Sequence, residues 1–193
     1  MIPTITLASS NAHKLSEFQE IFAKTSKASV VAAPSSLSVI EDGATYHENA
    51  LLKACAYYQK FKVPIVADDS GLEVAALPGE LGVLSARFGG NIASSKKCEL
   101  LLSKMQTVPP EKRQAYFICV LCYYRSPQEI FFFEGRVDGE IAYELKGEHG
   151  FGFDPIFLPM EATQKGDSLA MLPEWKQEHS HRARAIKRLL HFL

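Results

Sequence analysis

The chain has no apolar run long enough to cross a bilayer, so a helical membrane span is not expected. It also lacks an excess of either charge. With 21 Lys and Arg against 22 Asp and Glu, the formal net charge is −1, which excludes a general polyanion binder and leaves nucleic acid outside the expected partners. Any phosphate binding must be local. Repeats, low-complexity tracts and Pro/Gly/Ser-rich linkers are absent, and one domain over residues 1–193 is expected. The opening MIPTITLASSNAHK has no positive n-region and too short an apolar stretch for a secretory leader. Cysteine is sparse, with four residues. Cys119 and Cys122 form a CxxC inside the strand-like run AYFICVLCYY, where positions three apart point to opposite faces, which disfavours a metal clamp or a redox pair. Cys55 and Cys98 also sit in apolar contexts, so all four read as buried free thiols of a reducing cytoplasm.

What is present fits a compact core: 47% of the residues are hydrophobic and 22% charged. TITLA reads as a strand, SSN as a turn, and KLSEFQEIF as a helix with Leu15, Phe18 and Phe22 on one face. Thr45 followed by Glu48 is a capping box, predicting a helix over TYHENALLKACAYYQKF. Its core stripe is Ala50, Leu51, Ala54, Tyr58 and Phe61, and Tyr46, Asn49 and Lys53 share another face. IVA is a short strand expected to end at Asp68-Asp69, and SSKKCELLLSKM a helix. QAYFICVLCYY and EIFFFEGRV, either side of Ser126-Pro127, predict two long antiparallel strands. GEHGFGFDPIF is a glycine-punctuated loop and SHRARAIKRLLHFL a terminal helix. Together these predict an α/β protein with a mixed sheet flanked by helices.

Four polar segments stand where such architectures place ligands, at strand ends and helix starts. In SSNAHK, Ser9, Ser10 and Asn11 lie between a strand and a helix, so backbone N–H groups and the helix dipole can face an anion, with Lys14 adding charge; the plain alternative is a helix cap. In ADDSG, paired carboxylates followed by Ser70 can hold Mg²⁺, and Glu41-Asp42 can complete such a site; a solvated turn is the alternative. FGFDP offers Phe151 or Phe153 as a ring to stack on a base beside Asp154, although a Phe near a Gly is more often a core plug. SHR puts His181 and Arg182 in the first turn of a helix, where the macrodipole disfavours positive charge.

In this order the segments resemble the inosine triphosphate pyrophosphatase, or HAM1-like, family nearly end to end. ASSNAHKLSEFQEIF is similar to its phosphate loop, EDGATYHENALLKA to its E-x-G-x-T-F-x-E-N-A-x-x-K-A helix, and ADDSGLEV, GVLSARF, GFGFDPIF and SHRARAIKRL to its later motifs. The resemblance implies an elongated twisted mixed sheet, two lobes around a central substrate cleft and a homodimer. It implies Mg²⁺-dependent hydrolysis of ITP, dITP and XTP to the monophosphate and pyrophosphate, with Mn²⁺ accepting similar oxygen ligands. Carried across, Ser9, Ser10, Asn11, Ala12, His13 and Lys14 hold the triphosphate with Lys53, and Asp69 is general base and metal ligand. Ser70, Arg87, Phe151, Gly152, Phe153, Asp154, Lys176, His181 and Arg182 contact substrate.

Two departures from the pattern stand out. Ser10 replaces a family Gly, which matters if that residue needs positive φ. Ile40 occupies a position where many relatives carry a metal-binding Glu, leaving Glu41 to take the metal. These departures are the only sequence support for a rival reading, a catalytically weak nucleotide-binding sensor without turnover; a third reading, a related-fold pyrophosphatase of other base preference, is opposed by SHR and FGFDP. Arg182 and His181 are expected to donate to O6 of a deaminated purine, because a guanidinium can meet O6 and N7 as a pair.

Overall fold

A computed structural model of the protein describes residues 2–162 and 164–193. The elements are β1 (Thr4–Ala8), α1 (Ala12–Phe22), β2 (Ser29–Ala32), α2 (Tyr46–Phe61), β3 (Ile65–Val74), α3 (Ser94–Lys104), β4 (Gln114–Ser126), β5 (Glu129–Ile141), β6 (Phe157–Pro159), α4 (Pro173–His179) and α5 (His181–Phe192). The strands form one six-stranded sheet in the order β2-β1-β3-β4-β5-β6. β1 pairs in parallel with β2 and β3, and β6 is antiparallel to β5, so the sheet is mixed, as expected. The two residues between β4 and β5 permit only an antiparallel hairpin.

The chain divides into two compact units. The first holds the residues up to Ser70, with Cys119–Gly135 and His181–Leu193; the second holds Gly71–Ile118 and Arg136–Ser180. In the first unit β1, β3 and β4 are covered on both faces. Ile5, Leu7, Val66, Cys119, Leu121 and Tyr123 pack with Phe18 and Phe22 of α1 and with Ile186 and Leu189 of α5. The alternate residues Ala8, Ile65, Ala67, Val120, Cys122 and Tyr124 pack with Ala50, Ala54 and Tyr57 of α2. The period-two alternation of strands therefore sends Cys119 and Cys122 into different clusters, as their spacing predicts. α5 comes close to β5 at Gly135, where an added Cβ would collide with the His181 carbonyl and the Ala185 nitrogen. The second unit has its own core, built from Leu72, Val74, Phe88, Leu101, Phe117, Val137, Ile156 and Phe157.

The predicted capping box is present, with Thr45 Oγ1 accepting from Glu48 N at 3.2 Å and Glu48 Oε2 accepting from Thr45 N at 2.9 Å. One element departs from its sequence reading. β3 does not stop before the carboxylates but continues for ten residues through Ala67-Asp68-Asp69-Ser70-Gly71, so the turn alternative is excluded. Local turn chemistry yields here to pairing within the sheet, because cations from three helices meet the charges.

Candidate active site

Strand alternation decides what each carboxylate of β3 meets. Asp68 follows Val66 onto the face covered by α1 and α5, and Asp69 follows Ala67 onto the face covered by α2. Asp68 is 1% exposed and lies at the centre of an ionic cluster. Lys14 Nζ stands 2.8 Å from its Oδ2, and Arg182 Nε and Nη2 donate to the same oxygen at 3.4 Å. Arg182 Nη2 also donates to Ser70 Oγ at 2.9 Å, and Nη1 to Glu17 Oε2 at 2.5 Å. These two carboxylates offset the positive charge that the first turn of α5 would otherwise disfavour.

On the opposite face, Asn49 Nδ2 donates to Asp69 Oδ2 at 3.2 Å while Asn49 Oδ1 accepts from Gly43 N at 2.8 Å. A Cβ at Gly43 would run into Glu48 Cβ and Asn49 Oδ1, so glycine is what lets this backbone orient the Asn49 amide. One helical turn on, Lys53 Nζ donates to the Asp68 carbonyl at 2.9 Å and pairs with Glu41 Oε2 at 2.7 Å. Lys53 is thus no solvated surface lysine, and Glu41, next to the exposed Ile40, is drawn to the ammonium beside Asp68-Asp69.

The environments push the two acids apart. Burial opposes ionisation of Asp68, but Lys14, then Arg182 and Lys53, hold its carboxyl well below the usual carboxylate range. Burial pushes Asp69 up to about 6; Lys53 and Lys14 oppose the rise, and the Asp68 charge adds to it. Burial disfavours the Lys53 ammonium, yet Asp68, Glu41 and Asp69 raise it above its ordinary value. A neighbouring pair with one acid fixed as an anion and the other poised near neutrality is the arrangement that divides electrostatic from proton-transfer roles.

The loop before α1 is ordered by its own side chains. Asn11 caps the helix, its Oδ1 accepting from His13 N at 3.0 Å and Lys14 N at 3.3 Å, and Ser9 Oγ accepts from Asn11 N at 3.2 Å. Among the described residues Lys62 is the one non-glycine with positive φ, so Ser10 carries no left-handed strain and its Cβ costs nothing on that account. Ala12 and His13 are exposed in the first turn.

In the second unit, Asp154 Oδ2 accepts from Phe151 N at 2.8 Å and from Lys176 Nζ at 2.7 Å. Lys176 Nζ lies 4.6 Å from the centroid of the half-buried Phe151 ring. Of the two rings left open by the sequence, Phe153 is the core plug, 6% exposed and edge-on to Phe88 at 6.1 Å. The Gly152 carbonyl accepts from Cys98 Sγ at 3.3 Å. Arg87, beside Phe88, is exposed, its backbone N–H donating to the Leu84 carbonyl.

The structure thus joins Lys14, Glu41, Lys53, Ser70 and Arg182 in one cluster around Asp68, with Asp69 on the reverse face of the strand, and joins Phe151, Asp154 and Lys176 in another. His181 is buried at the first position of α5. The reading of Arg182 as an O6 donor meets a competing fact, since its donors are engaged by Glu17, Asp68 and Ser70. The sequence reading gives no site role to Glu17 or Asn49 and does not single out Asp68 as the hub of a cluster. Glu17 was detectable as an acid three residues after Lys14 on the same helix face, and Asn49 by its position one turn before Lys53.

The sequence model of the Ham1 family matches residues 5–192. The chain belongs to the Ham1 family. Relatives at similar length support that membership of the Ham1 family. A dITP/XTP pyrophosphatase of Oceanobacillus iheyensis is 40% identical over 189 residues, covering 96% of this chain and 95% of the relative. Among solved structures, a HAM1 protein from Coxiella burnetii superposes with a TM-score of 0.86 at 33% identity, covering 98% of both chains. The Staphylococcus aureus Ham1 protein gives a TM-score of 0.82 at 38% identity over 98% of this chain and 97% of that one.

Proposed function

We propose that this protein hydrolyses deaminated purine nucleoside triphosphates, ITP, dITP and XTP, to the nucleoside monophosphate and pyrophosphate. The observation that carries the reading is the split carboxylate pair of β3. Asp68 is ion-paired and Asp69 is held near neutrality by burial, with a single amide, Asn49, orienting it. The dITP/XTP pyrophosphatases among its relatives support the substrate class.

In this reading the 9–14 loop, Lys14 and Lys53 hold the triphosphate chiefly by ammonium charge, since the N–H groups of Asn11, His13 and Lys14 already donate to the Ser9 and Asn11 side chains. Asp69 takes the proton of the attacking water, a role its carboxylate suits because burial raises its pKa to about 6 and so makes it a stronger base than an ordinary carboxylate. Asn49 keeps the accepting oxygen in place. Phe151 supplies a half-buried ring for the base, and Lys176 beside it supplies N–H donors suited to a keto oxygen rather than an amino group. Ser70, Arg87, Gly152, Phe153, Asp154, His181 and Arg182 complete the contacts or support them.

The donor chemistry fits a hard divalent ion. Glu41 and Asp69 offer carboxylate oxygens near Lys53, and no group of three His, Cys, Asp or Glu among the described residues forms a closed cage. Mg²⁺ characteristically binds through one or two carboxylates together with substrate phosphates, and Mn²⁺ takes similar oxygens. When bound, the ion neutralises phosphate charge and polarises the P–O bond. Asp69 and Glu41 would hold it.

We further read residues 1–193 as a single functional domain that works as a homodimer in a reducing cytoplasm, without nucleic acid or membrane as partner. Among the described residues no helix is long and apolar enough to cross a membrane. Incubating the protein with dITP and Mg²⁺ and identifying the products tests the function. Monophosphate and pyrophosphate are expected. Orthophosphate with a diphosphate as first products would refute the assigned pose, and binding without turnover would favour the sensor.

A further inference from the structure

Lys14 belongs to the loop that the proposed function assigns to the triphosphate, yet its ammonium already has an anion. Asp68 Oδ2 lies 2.8 Å from Nζ, and the two side chains differ sharply in exposure, 17% for Lys14 and 1% for Asp68. The carboxylate is therefore fixed in the interior and the ammonium sits between it and the solvent. A polyphosphate reaching residues 9–14 meets a lysine that is held from behind. Asp68 can release that lysine without being stranded, because Arg182 donates to the same oxygen through Nε and Nη2 and Lys53 binds the Asp68 carbonyl. Arg182 is itself anchored by Glu17 and Ser70, so it stays with Asp68 when Lys14 turns outward.

We propose that Asp68 is a positioning residue that competes with bound polyphosphate for the Lys14 ammonium. It holds Lys14 in register while the loop is empty. Once product forms, its buried negative charge, one side chain behind the phosphate site, draws the lysine back and weakens the grip on pyrophosphate. The inference rests on the reading that residues 9–14 bind the triphosphate. It assigns Asp68 a part in product release that neither proton transfer by Asp69 nor simple structural support requires.

Asp68→Asn tests it, with titration of magnesium pyrophosphate and product-inhibition kinetics as the readouts. The variant should bind pyrophosphate more tightly, by about threefold or more, which lies within the coupling expected for two side chains in direct contact. KM and kcat should fall together as release slows. In a Lys14→Met background the same substitution should leave pyrophosphate affinity unchanged, since the contested ammonium is gone. Pyrophosphate binding that Asp68→Asn leaves equal or weaker overturns the inference and spares the proposed function, whereas wild-type protein that binds no pyrophosphate overturns both. If Asp68→Asn does not fold, Lys14→Met alone can still overturn the inference. Without ligand it should melt below wild type, because Asp68 loses its nearest cation; melting at or above wild type shows that Asp68 does not hold the lysine and overturns the inference.

Discussion

Replacing Asp69 with Asn should abolish most activity and at the same time stabilise the protein. Folding moves this carboxyl from its ordinary 3.8 to about 6, mainly through burial. With 1.36 kcal/mol for each tenfold change in proton affinity, the ionised form costs the fold about 3 kcal/mol. The sign follows from which state binds the proton more tightly. Below the ordinary value both folded and unfolded carboxyls are protonated and the cost is absent. As the pH rises from 3.8 to about 6 the unfolded chain gains by ionising while the folded one resists, and above that window the whole cost is in force. Asn is nearly isosteric, can still accept from Asn49 and carries no charge. At the size of this chain, about 3 kcal/mol corresponds to a melting temperature roughly 6–12 °C higher at neutral pH. Turnover should fall by about 10²–10⁴-fold, the contribution typical of a general base. Thermal unfolding in metal-free buffer across the acid range, alongside pyrophosphate release, measures both. A variant that melts at or below wild type at neutral pH, or whose advantage persists unchanged near pH 3.8, would refute the electrostatic reading of this site.

Arg182→Ala should destabilise the protein by about 3–5 kcal/mol, because it removes a cation from the buried Asp68, and should reduce activity on ITP and ATP alike. A collapse of the ITP/ATP ratio with stability intact would support Arg182 as the reader of the base. Lys176→Met takes the ammonium from the buried Asp154 and from the Phe151 ring, so the loss of kcat/KM should be larger for ITP than for ATP; equal losses would confine Lys176 to a structural role. Thiol reagents should modify native protein at Cys55 alone. Burial pushes Cys98 up to about 11 and Cys119 and Cys122 up to about 12, so a second fast-reacting thiol without denaturant would contradict the packing.

Much of the fold is local enough to be legible in the sequence. The capping box fixes the start of α2, period-two alternation separates Cys119 from Cys122, and apolar periodicity marks α1, α3 and α5. β3 runs past its expected end: Asp-Asp-Ser-Gly carries the local marks of a turn without forming one. What overrides those marks is supplied from afar: Arg182 lies 114 residues from Asp68, and Lys14 and Lys53 arrive on two further helices. The candidate site was likewise legible as residue types and motifs but not as contacts. The commitment of Arg182 to Glu17, and the demotion of Phe153 to the core, depend on packing that no spacing rule encodes.

The first unit is assembled from three stretches of chain, the last of which is His181–Leu193. A chain made from its N-terminus supplies α1, α2 and β3 early, then every residue of the second unit, and only afterwards the helix that brings Arg182. Until that helix docks on Gly135, Asp68 lacks its guanidinium and the face of the sheet lined by Ile5, Leu7 and Val66 lacks the cover of Ile186 and Leu189. Residues 9–14, proposed to hold the triphosphate, thus precede Arg182 by nearly the whole of both units, and before α5 docks they carry the motif without the charge balance around Asp68.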